Sequence, residues 1–120
     1  MVLMVETEQA IEKLFSSHGV YLGNVFLVQG THVLELAEKF TNSGFTILGL
    51  DTFKQVETGF LPLLDKIADF TMGSYQITDT SSIKSLESTK KFLFAFENFE
   101  GYYFSLTVDS VKLPISGGIS

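Results

Sequence analysis

Between Gly23 and Gly30 the chain reads NVFLVQ, with four apolar residues in a row. That is too short for a buried helix, and it lacks the alternation of a strand with one wet face. Such a run suits a strand covered on both sides. It commits the rest of the chain to supplying neighbouring strands and a layer to cover them. The flanking segments have the right character. Residues 6–18, ETEQAIEKLFSSH, put Ala10, Ile11, Leu14 and Phe15 on one helical stripe, with Glu6, Glu8, Glu12 and Lys13 outside it and Gly19 at the stop. After the strand, Thr31 stands where it would cap HVLELAEKFTNS. In that helix Val33, Leu36, Ala37 and Phe40 share a face and Gly44 supplies the stop. FTILGL then reads as a second buried strand.

The second half of the chain is more ambiguous. Pro62 can open a helical turn through LLDKIADF, clustering Leu63, Leu64, Ile67 and Ala68, but the same letters also fit an ordered loop. Ser81 or Ser82 is placed to cap a third helix, IKSLESTKK. From Phe92 the apolar period becomes two. Phe92, Phe94 and Phe96, the turn NFEG, then Phe104, Leu106 and Val108 read as a hairpin of core-facing positions; the competing reading carries the third helix on through FLFAFEN. The expected architecture is α+β, with three helices on one side of a mixed sheet of about four or five strands. It forms a single domain over residues 1–110, and VKLPISGGIS at 111–120 reads as a flexible tail.

Charge and missing residue types narrow the chemistry. The net charge is −6 and all eight cations are Lys, so the planar fork that grips phosphate and stacks on bases is absent, which argues against nucleic acid. No Cys is present, which removes thiol catalysis and Cys-ligated zinc. His18 and His32 have nothing in sequence to bring them together. His32 and Glu35, spaced i, i+3, are two ligands without a third. No GxSxG elbow or phosphate-cradling glycine loop occurs, so neither catalytic residue, metal nor cofactor is expected. MVLMV is too short for the apolar core of a signal peptide, and no run approaches the ~18 apolar residues of a membrane span, so a cytoplasmic protein is expected.

What remains is a recognition surface. Between Gly44 and Phe70 the chain displays Asp51, Glu57, Asp65 and Asp69 against only Lys54 and Lys66, beside Phe53 and Phe60. Phe99 and Tyr102, at the NFEG turn, with Tyr103 beside them, add aromatic anchors flanked by Glu97 and Glu100. Carboxylates near apolar anchors attract a basic protein and speed its encounter.

ILGLDTF at 47–53 and LPLLDKIADF at 61–70 give residues 31–70 a character that resembles the small acidic α+β immunity proteins of bacterial toxin–immunity systems, including those of contact-dependent inhibition. The resemblance implies a cytoplasmic protein that neutralises a cognate toxin domain, often a nuclease, by covering its active site with carboxylates. Those would be Asp51, Glu57, Asp65 and Asp69. The alternative is a non-catalytic structural or adaptor subunit, for which a homodimer burying a sheet face would suit the 45% apolar content.

Overall fold

A computed structural model describes residues 7–71 and 80–109. Along the chain run α1 (Glu8–Lys13), a 3₁₀ turn (Ser16–His18), β1 (Gly19–Leu22), β2 (Val25–Gln29), α2 (Val33–Asn42), β3 (Ile47–Val56), β4 (Gly59–Asp69), α3 (Ser81–Phe94) and β5 (Tyr102–Val108). The architecture is α+β, three helices and one five-stranded sheet of order β1-β2-β5-β3-β4. All its strand pairs are antiparallel, so the sheet is not the mixed one expected. The reason is topological. β1–β2 and β3–β4 are joined by tight turns, which only antiparallel strands accept, and β5 enters between β2 and β3 running against both.

The first half follows its local signals closely. Phe26, Leu27 and Val28 are all buried in β2, as a strand covered on both faces should be. Helix α2 closes with two bonds, from Gly44 N–H to the Thr41 carbonyl (3.0 Å) and from Phe45 N–H to the Phe40 carbonyl (3.0 Å). Gly44 sits at φ +89°, which that closure requires and which only glycine adopts without cost. The Phe40 and Phe45 rings then meet edge to face at 5.5 Å, adding the apolar contact of this helix stop. The start of α2 departs from expectation. His32, not Thr31, holds the cap position, and its side chain makes no capping bond. Helix α1 is shorter than 6–18. Thr7 caps it through Ala10 N–H (3.1 Å), and it gives way after Lys13 to the 3₁₀ turn. Tyr21 of β1 ties back to it by donating to Glu12 Oε1 at 3.0 Å.

Two segments of the second half differ more. Residues 59–69 are neither helix nor loop but an edge strand, a position that tolerates Pro62 because one side of the strand needs no ladder bonds. The hairpin expected from Phe92 exists only as its second strand, because α3 continues to Phe94. Tertiary bonds favour the helix. Ser85 Oγ accepts the buried N–H of Ile47 at 2.9 Å, and Thr89 Oγ1 donates to the Ser85 carbonyl at 2.8 Å. The rings of Phe92 and Phe96, one turn apart, meet at 5.6 Å. Phe94, expected in the core, is 76% exposed. The tail at 111–120 lies outside the described residues.

Helices α1, α2 and α3 lie in sequence across one face of the sheet, α2 in the middle. Val28, Leu50, Phe104, Leu106 and Val108 point to that face and pack with Ile11, Val33, Leu36, Ala37 and Phe40. Thr52 also points there, opposite Phe104, and its buried hydroxyl has no partner among the described residues. Thr52→Val is therefore expected to be neutral or stabilising by up to about 1 kcal/mol, whereas Ser85→Ala, which orphans the Ile47 N–H, should cost about 1–3 kcal/mol. Urea denaturation of the two variants checks this; a larger loss for Thr52→Val than for Ser85→Ala would contradict the assignment of both hydroxyls.

Candidate functional site

The four carboxylates singled out in the sequence all lie on the β3–β4 hairpin, at different stations along it. In strand β3, successive side chains alternate between the helix-covered face and the opposite one. Leu50 and Thr52 point to the helices, so Asp51 and Phe53 point away, opposite Ser105 and Tyr103 of β5 and Ile67 and Pro62 of β4. Asp69, opposite Gly49, comes to the same end of the hairpin as Asp51. Glu57 lies in the two-residue turn between Val56 and Gly59, about 20 Å from Asp51 at strand rise. Asp65 falls in a bulge. β3 advances two residues from Asp51 to Phe53 while β4 spans five from Pro62 to Ile67, so β4 carries three extra residues there.

Asp51 and Asp69 border a shallow depression of about 330 Å³, whose lining includes Gly49, Ile67, Thr71 and Thr107. Asp69 accepts from Thr71 Oγ1 (2.6 Å) and Thr71 N–H (2.9 Å). Those two bonds, the hydroxyl's first, hold its carboxyl below the usual range, so this exposed group keeps its charge in mild acid. Phe60 reaches the Tyr103 ring edge to face at 4.9 Å, and Phe53 stands opposite Tyr103 in the ladder. Carboxylates and half-buried rings thus share the face away from the helices, and Ile67, opposite Asp51, adds exposed aliphatic surface to it.

Phe99 and Tyr102 are separated from that group. Tyr102 stands opposite Lys54, on the helix-covered face. Both rings are half-buried and pack around Phe96, Phe99 at 5.8 Å and Tyr102 at 5.5 Å, with Phe104 completing the cluster. Two ammonium groups lie over it, Lys54 Nζ 5.7 Å from the Tyr102 ring and Lys66 Nζ 5.4 Å from that of Phe96. Of the residues grouped with Asp51 and Phe53, Tyr103 is one of the rings the sequence places beside the NFEG turn, whereas Ile67 carries no such signal, because LPLLDKIADF reads as a helical turn or a loop.

No protein-family model, curated protein or solved structure matches the chain. The reading of function therefore rests on its own residues.

The histidines do come together, contrary to expectation. The His18 and His32 rings stack at 3.7 Å and 15°, and His32 Nδ1 lies 3.1 Å from Glu35 Oε1. Stacked rings do not converge their nitrogens on one point. Among the described residues, no group of three or more His, Cys, Asp or Glu side chains is arranged to hold a metal ion. Among them also, no helix is long and apolar enough to cross a membrane.

Proposed function

We propose that the protein is a stoichiometric inhibitor of a basic partner protein, of the immunity type, with the β3–β4 hairpin and the adjoining strand β5 as its binding surface. The observation that carries this reading is the convergence of Asp51, Asp69, Phe53, Phe60 and Tyr103 on the sheet face away from the helices, with Asp65 and Glu57 further along the same hairpin. The carboxylates steer a basic toxin domain, such as a nuclease, and occupy the positions where its phosphates would bind. The rings and Ile67 supply the desolvated centre of the contact. Binding alone achieves this, with no bond made or broken. Tyr102 backs the hairpin from its other face, opposite Lys54, while Phe99 packs on Phe96 and Phe104.

The test starts from the gene beside this one. Coexpression should relieve growth arrest by a toxin encoded there, and Asp51→Lys, Glu57→Lys, Asp65→Lys and Asp69→Lys should weaken that relief. With the purified toxin domain, each exposed position is expected to slow association by severalfold, an effect that shrinks as salt screens the field. Asp51, half-buried, should instead raise the off-rate. If all four variants associate and dissociate like wild type, or if no toxin gene adjoins, the reading fails.

A further inference from the structure

From Leu14 to Leu34 the chain carries no Asp, Glu, Lys or Arg, although its net charge is −6. The two histidines of this stretch stack on each other. Its middle is the β1–β2 hairpin, and β1 is an edge of the sheet. Leu14, Val20, Tyr21, Leu22 and Val25 are all exposed, the three on β1 by 41–49%. Tyr21 stands opposite Phe26, which packs into the core under the helices. Tyr21 therefore points to the helix-covered side, and Val20 and Leu22 to the other.

The two edges of the sheet are unlike. β4 is guarded against strand addition, because Pro62 and the three-residue bulge interrupt its ladder groups and Asp65, Lys66 and Asp69 charge it. β1 has no proline, no bulge and no charge. Its two-residue turn closes on Leu22 and Val25, the position of a hydrogen-bonded pair in such hairpins. Val20 and Leu22 thus turn their N–H and C=O groups toward β2. Gly19 and Tyr21 turn theirs outward, where no described strand takes them.

We propose that the protein forms a two-fold dimer in which β1 pairs antiparallel with β1 of a second copy, joining the two sheets into one. Charge selects this occupant. Two chains of charge −6 repel, and the uncharged edge is where they meet without setting carboxylate against carboxylate, whereas a charged partner gains nothing there. Glu12 reaches β1 only on the helix-covered side, bonded to the Tyr21 hydroxyl. The guarded β4 edge also prevents β1 from adding to β4 of the next copy in an open series, so the contact closes as a pair. A two-fold axis perpendicular to the sheet keeps the helices of both copies on one side, so facing residues share a face. Ladder bonds then join Tyr21 to the partner's Tyr21, or Gly19 to the partner's Tyr21. In the first register Val20 meets the partner's Leu22, and in the second the partner's Val20; apolar side chains meet in both. Four residues span about 13 Å, so the contact is small and the dimer weak and concentration-dependent.

This inference does not rest on the inhibitor reading: β1 and β4 are opposite edges, so the dimer leaves both β3–β4 hairpins open. Sedimentation equilibrium of the full chain alone tests it, at concentrations up to about 1 mM and at about 0.05 and 0.5 M salt. Wild type should move toward twice its 13.3 kDa mass, and further at high salt, because screening removes the net repulsion and spares the ladder bonds and apolar contacts. Val20→Lys/Leu22→Lys, at two exposed positions, should associate at least tenfold more weakly while keeping the wild-type circular dichroism. Leu61→Lys, the same change on the β4 edge, should associate as wild type does. The chain has no Cys, so single substitutions report the register. On oxidation either Tyr21→Cys or Val20→Cys should cross-link much faster than Leu61→Cys. A wild-type monomer at every concentration would overturn the proposal and leave the edge to a strand of another protein. Self-association weakened by salt, association unchanged in Val20→Lys/Leu22→Lys, or cross-linking no faster than that of Leu61→Cys would each overturn it too.

Discussion

Phe104→Ala is expected to lower the unfolding free energy by about 3–5 kcal/mol, the loss typical of a large ring removed from a site that cannot collapse. Phe104 is fully buried on the central strand, paired with Val28 on one side and Thr52 on the other. Its ring is held edge to face by Phe96 at 5.3 Å and Phe99 at 6.0 Å. For a domain of this size each kcal/mol shifts the midpoint by roughly 4 °C, so a fall of about 12–20 °C is expected in a thermal melt. Phe94→Ala, which removes the same ring from an exposed position, should stay within about 0.5 kcal/mol. The pair discriminates between the period-two reading of Phe92–Val108, in which both rings are core, and the helix ending at Phe94. Comparable losses would support the former.

Gly49→Ala should destabilise although glycine in a strand is ordinarily the weaker residue. Replacing a strand glycine by alanine commonly gains about 0.5–1 kcal/mol. At Gly49, however, an added Cβ would stand well inside van der Waals contact with the backbone carbonyl oxygen of Ala68 in the neighbouring strand. A backbone atom cannot rotate away, so β3 and β4 must part locally. A loss of about 2 kcal/mol or more is expected, in the range of overpacking mutations. Since Asp51 and Asp69 flank this point, the variant should also weaken binding of a basic partner. Urea denaturation decides the sign, and a stabilised Gly49→Ala would show that the close approach of the two strands is not real.

How much of this was legible from residues alone depended on whether local and tertiary preferences agreed. In NVFLVQ and in α2 with its Gly44 stop they agree, and the elements appear where their letters place them. In LPLLDKIADF they conflict. The apolar residues cluster as on a helix, but β3 presents an unpaired edge, and a three-residue bulge absorbs the mismatch between that clustering and strand alternation. In KFLFAF both periods fit, because Phe92 and Phe96 are spaced for a helix while Phe92, Phe94 and Phe96 alternate; the Ser85–Ile47 bond, 38 residues apart in sequence, favours the helix. For the candidate surface, the residue types were readable but their grouping was not. That Asp51 and Phe53 join Tyr103, while Tyr102 turns to the other face, follows from strand register, where a slip of one residue exchanges the faces.

The sheet order also has a temporal meaning. β1–β2 and β3–β4 are each local hairpins, and among the described residues they are joined into one sheet only through β5, which follows them all in the chain. During synthesis both hairpins emerge with an inner edge unpaired, and neither edge is satisfied until residues 102–108 have left the ribosome. Closing those long loops is the slow step such topologies face. A chain halted before Tyr102 would hold two open edges ready to pair with other chains, which makes β5 the gate between a folded protein and an aggregating one.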